Sequence, residues 1–327
     1  MTGMNEIWRK LRIVPLMGLP GVSLSGTSLK QNLENADAQF ASLKMLYDRF
    51  HPEAMFTMMD LSIEVEACGA ELLRAENQAF SVKQHPVGSP ADLERLRDPD
   101  PGADGRMPIV LSVVEAMSEE FDCINAAYVS GPFTLASLLT GAGNALRSVI
   151  RHQDFLRDLL QYCTRAIIRY SRALVEHGAN VVCILEPTAG ILSPRQFEIN
   201  SAVYLREITA AVAVPSILHI CGDTNVLIPN MLATNCSAIS VDSQVDMNQV
   251  LQRVRGDIRV FGNIDPVNVV AYGSTEDIDG ALLELIPLAR GNDNLTISTG
   301  CDLPLDTNLE NLSHLFRESR RLLAQSR

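Results

Sequence analysis

His219 and Cys221 stand two residues apart at the end of an apolar run, and Cys301 follows a second such run far along the chain. Side chains alternate along a strand, so His219 and Cys221 face the same side. Zinc accepts imidazole nitrogen and thiolate sulfur readily, and Gly222 lets the backbone turn away directly after the pair. Taken alone, a His-x-Cys pair is also what a packing cysteine beside a core histidine produces. Cys301 strengthens the reading: Gly300 before it and Pro304 after it place the thiol in a turn. Three borderline ligands from different strands make a catalytic zinc site with a free fourth position. Asp242 is a candidate for that position and for a catalytic carboxylate, or else a helix N-cap.

The elements that must position these residues are short apolar runs alternating with longer helical segments, the rhythm of parallel strands joined by crossover helices. Eight strands are expected, near Val14 to Leu16, Ala54 to Met59, Ala126 to Val129, Val181 to Leu185, Ser216 to Ile220, Ala238 to Val241, Arg259 to Gly262 and Thr296 to Thr299. The fold class is therefore α/β, a (β/α)8 (TIM) barrel, with residues 1–327 as a single domain. Polar residues end the runs, among them Asp60, Ser130, Glu186, Asp242 and Asn263, and the C-terminal ends of barrel strands carry the active site. An open dinucleotide-binding sheet needs a Gly-rich first turn, and Gly18-Leu19-Pro20-Gly21 matches it poorly.

Glu186 at that rim is a candidate catalytic group, orienting substrate or a ligand histidine, or else a cap or surface ion-pair partner. Gly131 and Pro132 precede an apolar helix start whose free amides suit an anion such as a sulfonate or carboxylate, or else simply turn the chain. With Asn263 they form the expected cofactor-binding set. Gln153 to His177 reads as a scaffold helix stopped by Gly178. The stretch around 84–106, rich in Pro, Gly, Asp and Arg, reads as an exposed excursion that helps cover the rim.

With 27 Lys and Arg against 39 Asp and Glu, the chain has a net charge of −12 and no basic cluster, which excludes nucleic acid as a partner. Neither a signal peptide nor a membrane span is expected, so the location is cytoplasmic, with no membrane partner. An odd count of 7 cysteines without an export signal favours reduced thiols or ligands over disulfides. Cys68, Cys123, Cys163, Cys183 and Cys236 are read as packing residues.

Beyond the ligands, five blocks occur in order: Val129-Ser-Gly-Pro-Phe-Thr-Leu-Ala-Ser137, Glu186-Pro-Thr-Ala-Gly190 with Leu192-Ser-Pro194, His219-Ile-Cys-Gly-Asp223, Phe261-Gly-Asn-Ile-Asp-Pro266, and Gly300-Cys-Asp-Leu-Pro304 with Asn311. In these the chain resembles the uroporphyrinogen decarboxylase superfamily, and within it the cobamide-dependent methyltransferases. The resemblance implies zinc on His219, Cys221 and Cys301, with a carboxylate ligand at Asp242, where the family tends to carry Glu. It implies methyl transfer between a methylated corrinoid on a partner corrinoid protein and a zinc-activated thiol such as coenzyme M, by a monomer or homodimer. A decarboxylase without metal is the alternative, but its substrate needs arginines at the barrel mouth, and no such cluster is evident. A non-catalytic zinc- or corrinoid-binding barrel is the other.

Overall fold

Unbroken stretches of small and β-branched residues become strands where both faces are covered, and helices form where the apolar period lengthens. The computed structural model describes residues 7–8, 11–255 and 258–325. Its strands are β1 (Ala54–Phe56), β2 (Glu71–Leu73), β3 (Ser81–Gln84), β4 (Ile124–Ser130), β5 (Val181–Leu185), β6 (Ser216–Ile220), β7 (Ala238–Val241), β8 (Arg259–Ile264) and β9 (Leu295–Thr299). All but β2 and β3 form one parallel sheet in the order β1-β4-β5-β6-β7-β8-β9. Strands β2 and β3 make a separate antiparallel ribbon.

Alternation divides each strand between two cores. Val181, Cys183 and Leu185 of β5 join Val14, Leu16, Phe56, Tyr128, Ile217, Ala238 and Phe261 in one buried cluster. Val182 and Ile184 join the larger cluster formed with the helices. Residues from near both edges of the sheet thus share the inner cluster, so the sheet curls around it.

The expected strand at Val14 to Leu16 is replaced by a segment with a single parallel bridge, Ile13 to Ile297 of β9. Val14 N and Leu16 N face β9, so position 15 faces β1, where Pro15 has no N–H to pair. The segment is held instead by Val14 N donating to Ile297 O at 2.9 Å and Leu16 N to Thr299 Oγ1 at 2.9 Å. Toward β1, the Glu53 carboxylate accepts from the Arg12 and Ile13 amides, so a side chain stands where strand pairing was expected. The observed sheet therefore has seven strands rather than eight.

The scaffold helix runs Gln153–Glu176, with Gly178 at φ 106 behind it. Residues 84–106 are largely exposed, and they make contacts with outer helices and with Asp60. Val87 N donates to Leu139 O at 3.1 Å, and Tyr162 Oη donates to Arg97 O at 2.8 Å. Arg106 ends the stretch buried, 2.6 Å from Asp60 and 2.7 Å from Glu66, with its guanidinium over the Phe80 ring. Among the described residues no helix is long and apolar enough to cross a membrane.

Glu64, next to this network, is buried and accepts from Ser130 N at 2.6 Å and Ser130 Oγ at 2.9 Å. Burial pushes its carboxyl up to about 7, the Ser130 donors oppose the shift, and Asp60 adds to it. Because the folded pKa lies above the unfolded value, the folded state retains a proton that the unfolded chain has released. Stability therefore falls as pH rises from about 4.5 to about 7. Glu64→Gln, which keeps the shape, is expected to gain up to about 3 kcal/mol over wild type at pH 8 and nothing at pH 4, as read by urea unfolding.

Candidate metal centre

His219 is fully buried near the end of β6, between Leu185 of β5 and Ser240 of β7 in the sheet register. Cys221 lies one residue beyond the strand, and Gly222 follows at φ 84, a left-handed turn that a side chain resists. Cys301 reaches the same place because Gly300, just past β9, passes close under the chain after β7. A Cβ built at Gly300 would lie 2.4 Å from Ser243 N, so only glycine admits this approach.

The ligand atoms of His219, Cys221 and Cys301 all lie within 4.8 Å of one another. His219 Nε2 is 3.1 Å from Cys221 Sγ, and the two Sγ atoms are 3.4 Å apart. On the other side of the ring, His219 Nδ1 lies 3.0 Å from Ser240 Oγ. With Nδ1–H donating to Ser240, the Nε2 lone pair faces the thiols, the tautomer a metal requires. The thiols share protons: a hydrogen bond from Cys301 lowers the Cys221 pKa against burial and the Asp242 charge, and the same bond raises that of Cys301. Two sulfurs and one imidazole nitrogen, with the ring tied back, are a donor set that fits zinc. Ser240→Ala frees the ring and is expected to weaken zinc binding about 10- to 100-fold, measured by competition with a chromophoric chelator.

Asp242 is not among the converging donors. Its Oδ2 accepts from Gly222 N at 2.9 Å, and its Oδ1 from Gln244 N at 3.1 Å and Ser243 Oγ at 3.2 Å. The carboxylate therefore ties together the turns after β6 and β7, while the following helix, Met247–Arg253, is capped by Asp246. Asn263 braces the same loop, its amide donating to Asp242 O at 2.9 Å and Val245 O at 2.7 Å, so its donors are spent within the chain.

Glu186 is buried, and its carboxylate is held at the start of helix Pro132–Thr140. Oε1 accepts from Phe133 N and Oε2 from Thr134 N, each at 2.9 Å, and Ser201 Oγ donates to Oε1 at 2.8 Å. Burial raises the Glu186 pKa and these donors oppose the shift. The helix start behind Gly131 and Pro132 thus has its anion already, supplied by the chain rather than by a ligand.

Three contributors were not singled out from sequence. Ser240 holds His219, a role readable only once β6 and β7 are known to be neighbours. Tyr128, on the inner face of β4, buries a hydroxyl with no hydrogen-bond partner among the described residues, and Asp302, adjacent to Cys301, buries a carboxyl beside the Gly18 and Leu303 amides. Burial pushes Asp302 up to about 7, with the Gly18 and Leu303 amides and His219 opposing. The sequence signal for Asp302 was its adjacency to a ligand.

The family model described as uroporphyrinogen decarboxylase (URO-D) matches residues 21–322. A curated relative, the methylcobamide:CoM methyltransferase MtbA of Methanosarcina mazei, is 27% identical over 333 residues, covering 96% of both chains. A uroporphyrinogen decarboxylase of Synechococcus sp. is 26% identical over 309 residues, covering 90% of this chain and 86% of that protein. Among solved structures, a methyltransferase from Methanosarcina mazei superposes with a TM-score of 0.89 at 24% identity, covering 97% of each chain. A B12-independent methionine synthase from Shewanella sp. W3-18-1 shares the fold at a TM-score of 0.59 and 12% identity, covering 88% of this chain and 89% of that one.

Proposed function

Since the chain belongs to the uroporphyrinogen decarboxylase (URO-D) family, we propose that it is the methyl-transferring kind of member: a zinc-dependent enzyme moving a methyl group between a methylated corrinoid, carried on a partner corrinoid protein, and a small thiol. Relatives with either activity stand at nearly the same identity, so the site must decide. The observation that carries the reading is the convergence of His219 Nε2, Cys221 Sγ and Cys301 Sγ. A decarboxylase acting on a many-carboxylate substrate needs free arginines instead, and Arg106 is taken up by Asp60 and Glu66. In this reading residues 12–16 act as the closing stave of a one-domain (β/α)8 barrel in a cytoplasmic protein.

His219, Cys221 and Cys301 would hold the zinc, and Ser240 fixes the ring so that Nε2 and not Nδ1 is presented. Bound there, zinc supplies the Lewis acidity that keeps a thiol substrate deprotonated near neutral pH. Asp242 and Asn263 stiffen the loops that carry the cysteines, so the donors stay in place. The substrate sulfur then attacks the methyl carbon in line. A carbon–sulfur bond forms, the cobalt–carbon bond breaks, and both its electrons remain on cobalt, which goes from cobalt(III) to cobalt(I). The reverse reaction uses the same groups.

The test is demethylation of methylcobalamin, followed by its absorbance, with a panel of thiols and with or without prior chelation. Turnover that requires both thiol and zinc is expected. Thiol-dependent turnover unchanged by chelation, or none with a zinc-loaded protein, contradicts the reading.

A further inference from the structure

Two of the three converging donors are thiols, and their sulfurs touch: Cys221 Sγ and Cys301 Sγ are 3.4 Å apart although 80 positions separate them in sequence. A disulfide bond is about 2.05 Å long, so an approach on the scale of a side-chain rotation joins them. The fold itself sets this meeting, with Cys221 one residue beyond β6 and Cys301 brought in by Gly300, which packs beneath the chain after β7. The turn that carries Cys221 has room to adjust, since a Cβ built at Gly222 meets nothing within 4 Å. Both thiols are partly exposed. Cys68, Cys163, Cys183 and Cys236 are buried, and Cys123, the other partly exposed cysteine, donates to Ile124 O at 3.7 Å.

Paired, reachable thiols oxidise to a disulfide more readily than single or buried ones, because a sulfenic acid formed on one is captured by the other before it oxidises further. With hydrogen peroxide as the oxidant the balance closes. One sulfur attacks a peroxide oxygen, the O–O bond breaks, its electron pair leaves on hydroxide, and the sulfur now carries a hydroxyl. The second sulfur attacks the first, an S–S bond forms, the S–O bond breaks, and a second hydroxide leaves. The two thiol protons turn both hydroxides into water, so two electrons have passed from the sulfurs to one peroxide. The product changes what the centre can hold: disulfide sulfurs carry no charge and are poor ligands, which leaves His219 Nε2 as the one strong donor of the three.

We propose that Cys221 and Cys301 form a thiol–disulfide switch on the candidate metal centre: a small hydroperoxide closes the disulfide and empties the centre, and a dithiol reductant reopens it. The cross-link requires only the two thiols, whereas its consequence for methyl transfer rests on the zinc-dependent reading above.

The experiment treats metal-free and zinc-loaded protein with a few equivalents of hydrogen peroxide and follows intact mass, peptides mapped without reductant, and zinc reported by a chromophoric chelator. In metal-free wild type a loss of about 2 mass units and a peptide joining Cys221 to Cys301 are expected, zinc affinity should fall at least about 100-fold, and dithiothreitol should restore both thiols and affinity. The zinc-loaded protein should release its zinc in step with the cross-link. Cys301→Ser should form no cross-link and instead gain oxygen at Cys221, whereas Cys123→Ser should behave as wild type. Thiols that persist, oxygen added to wild type without a cross-link, a disulfide between other cysteines, or a cross-linked protein that keeps its zinc affinity would overturn the switch and leave the methyltransferase reading standing. A reduced protein that takes up no zinc overturns both, and because the mass loss does not depend on metal the two failures are read separately.

Discussion

Cys301→Ala is expected to lose zinc on dialysis and to transfer methyl groups at least about 10³-fold more slowly than wild type, with little change in unfolding midpoint of the metal-free protein. Zinc held by three protein donors depends on each of them, and much of the affinity resides in the thiolates. Removing Cys301 also deprives Cys221 of the hydrogen bond that lowers its pKa, leaving burial and the Asp242 charge to hold that thiol protonated. A single residue thus removes one ligand and disarms a second. Cys183→Ala is the control: its thiol is buried in the inner cluster but lies outside the converging donors, so zinc should stay. Equal metal loss in both variants would point to general unfolding, which circular dichroism detects.

Glu186→Ala is expected to cost about 3–5 kcal/mol of stability, measured by urea unfolding, while zinc content stays near that of wild type. The change leaves the Phe133 and Thr134 amides and the Ser201 hydroxyl without their acceptor in a buried place. Gly131→Ala should be comparably damaging for a related reason. A Cβ at Gly131 would lie 2.2 Å from Glu186 Oε2, and that oxygen cannot swing away while two amides hold the carboxylate. The pair should be only partly non-additive, since Glu186→Ala removes the clash with the carboxylate but leaves the Cβ of residue 186 at 2.8 Å from the added methyl. A stable Glu186→Ala protein with abolished turnover would instead restore Glu186 to a catalytic role.

The convergence of His219, Cys221 and Cys301 was legible because it rests on identity and alternation: His219 and Cys221 at strand spacing, Cys301 framed by Gly300 and Pro304. The carboxylates were not, because their targets are set by loops. Asp242 stands beside the site in sequence order, yet two backbone amides from separate turns claim it. Glu186 answers an N-terminal amide need more than fifty residues earlier in the chain; the helix start behind Gly131 was read as a receptor for a ligand anion or else a plain turn, and its amides are taken by Glu186. Seven of the eight expected strands formed among the described residues; at Val14 to Leu16 the pairing with β9 stays a single bridge because Leu16 N is taken by the Thr299 side chain instead of a backbone carbonyl. The composition of residues 84–106 did not reveal that buried Arg106 would anchor the stretch to Asp60.

Elemental analysis of the protein purified without chelators is the most direct test of the central claim. About one zinc per chain, released by chelation and restored together with methylcobalamin:thiol activity, is the predicted result. A protein that stays metal-free after incubation with zinc, with His219, Cys221 and Cys301 intact, would contradict the account.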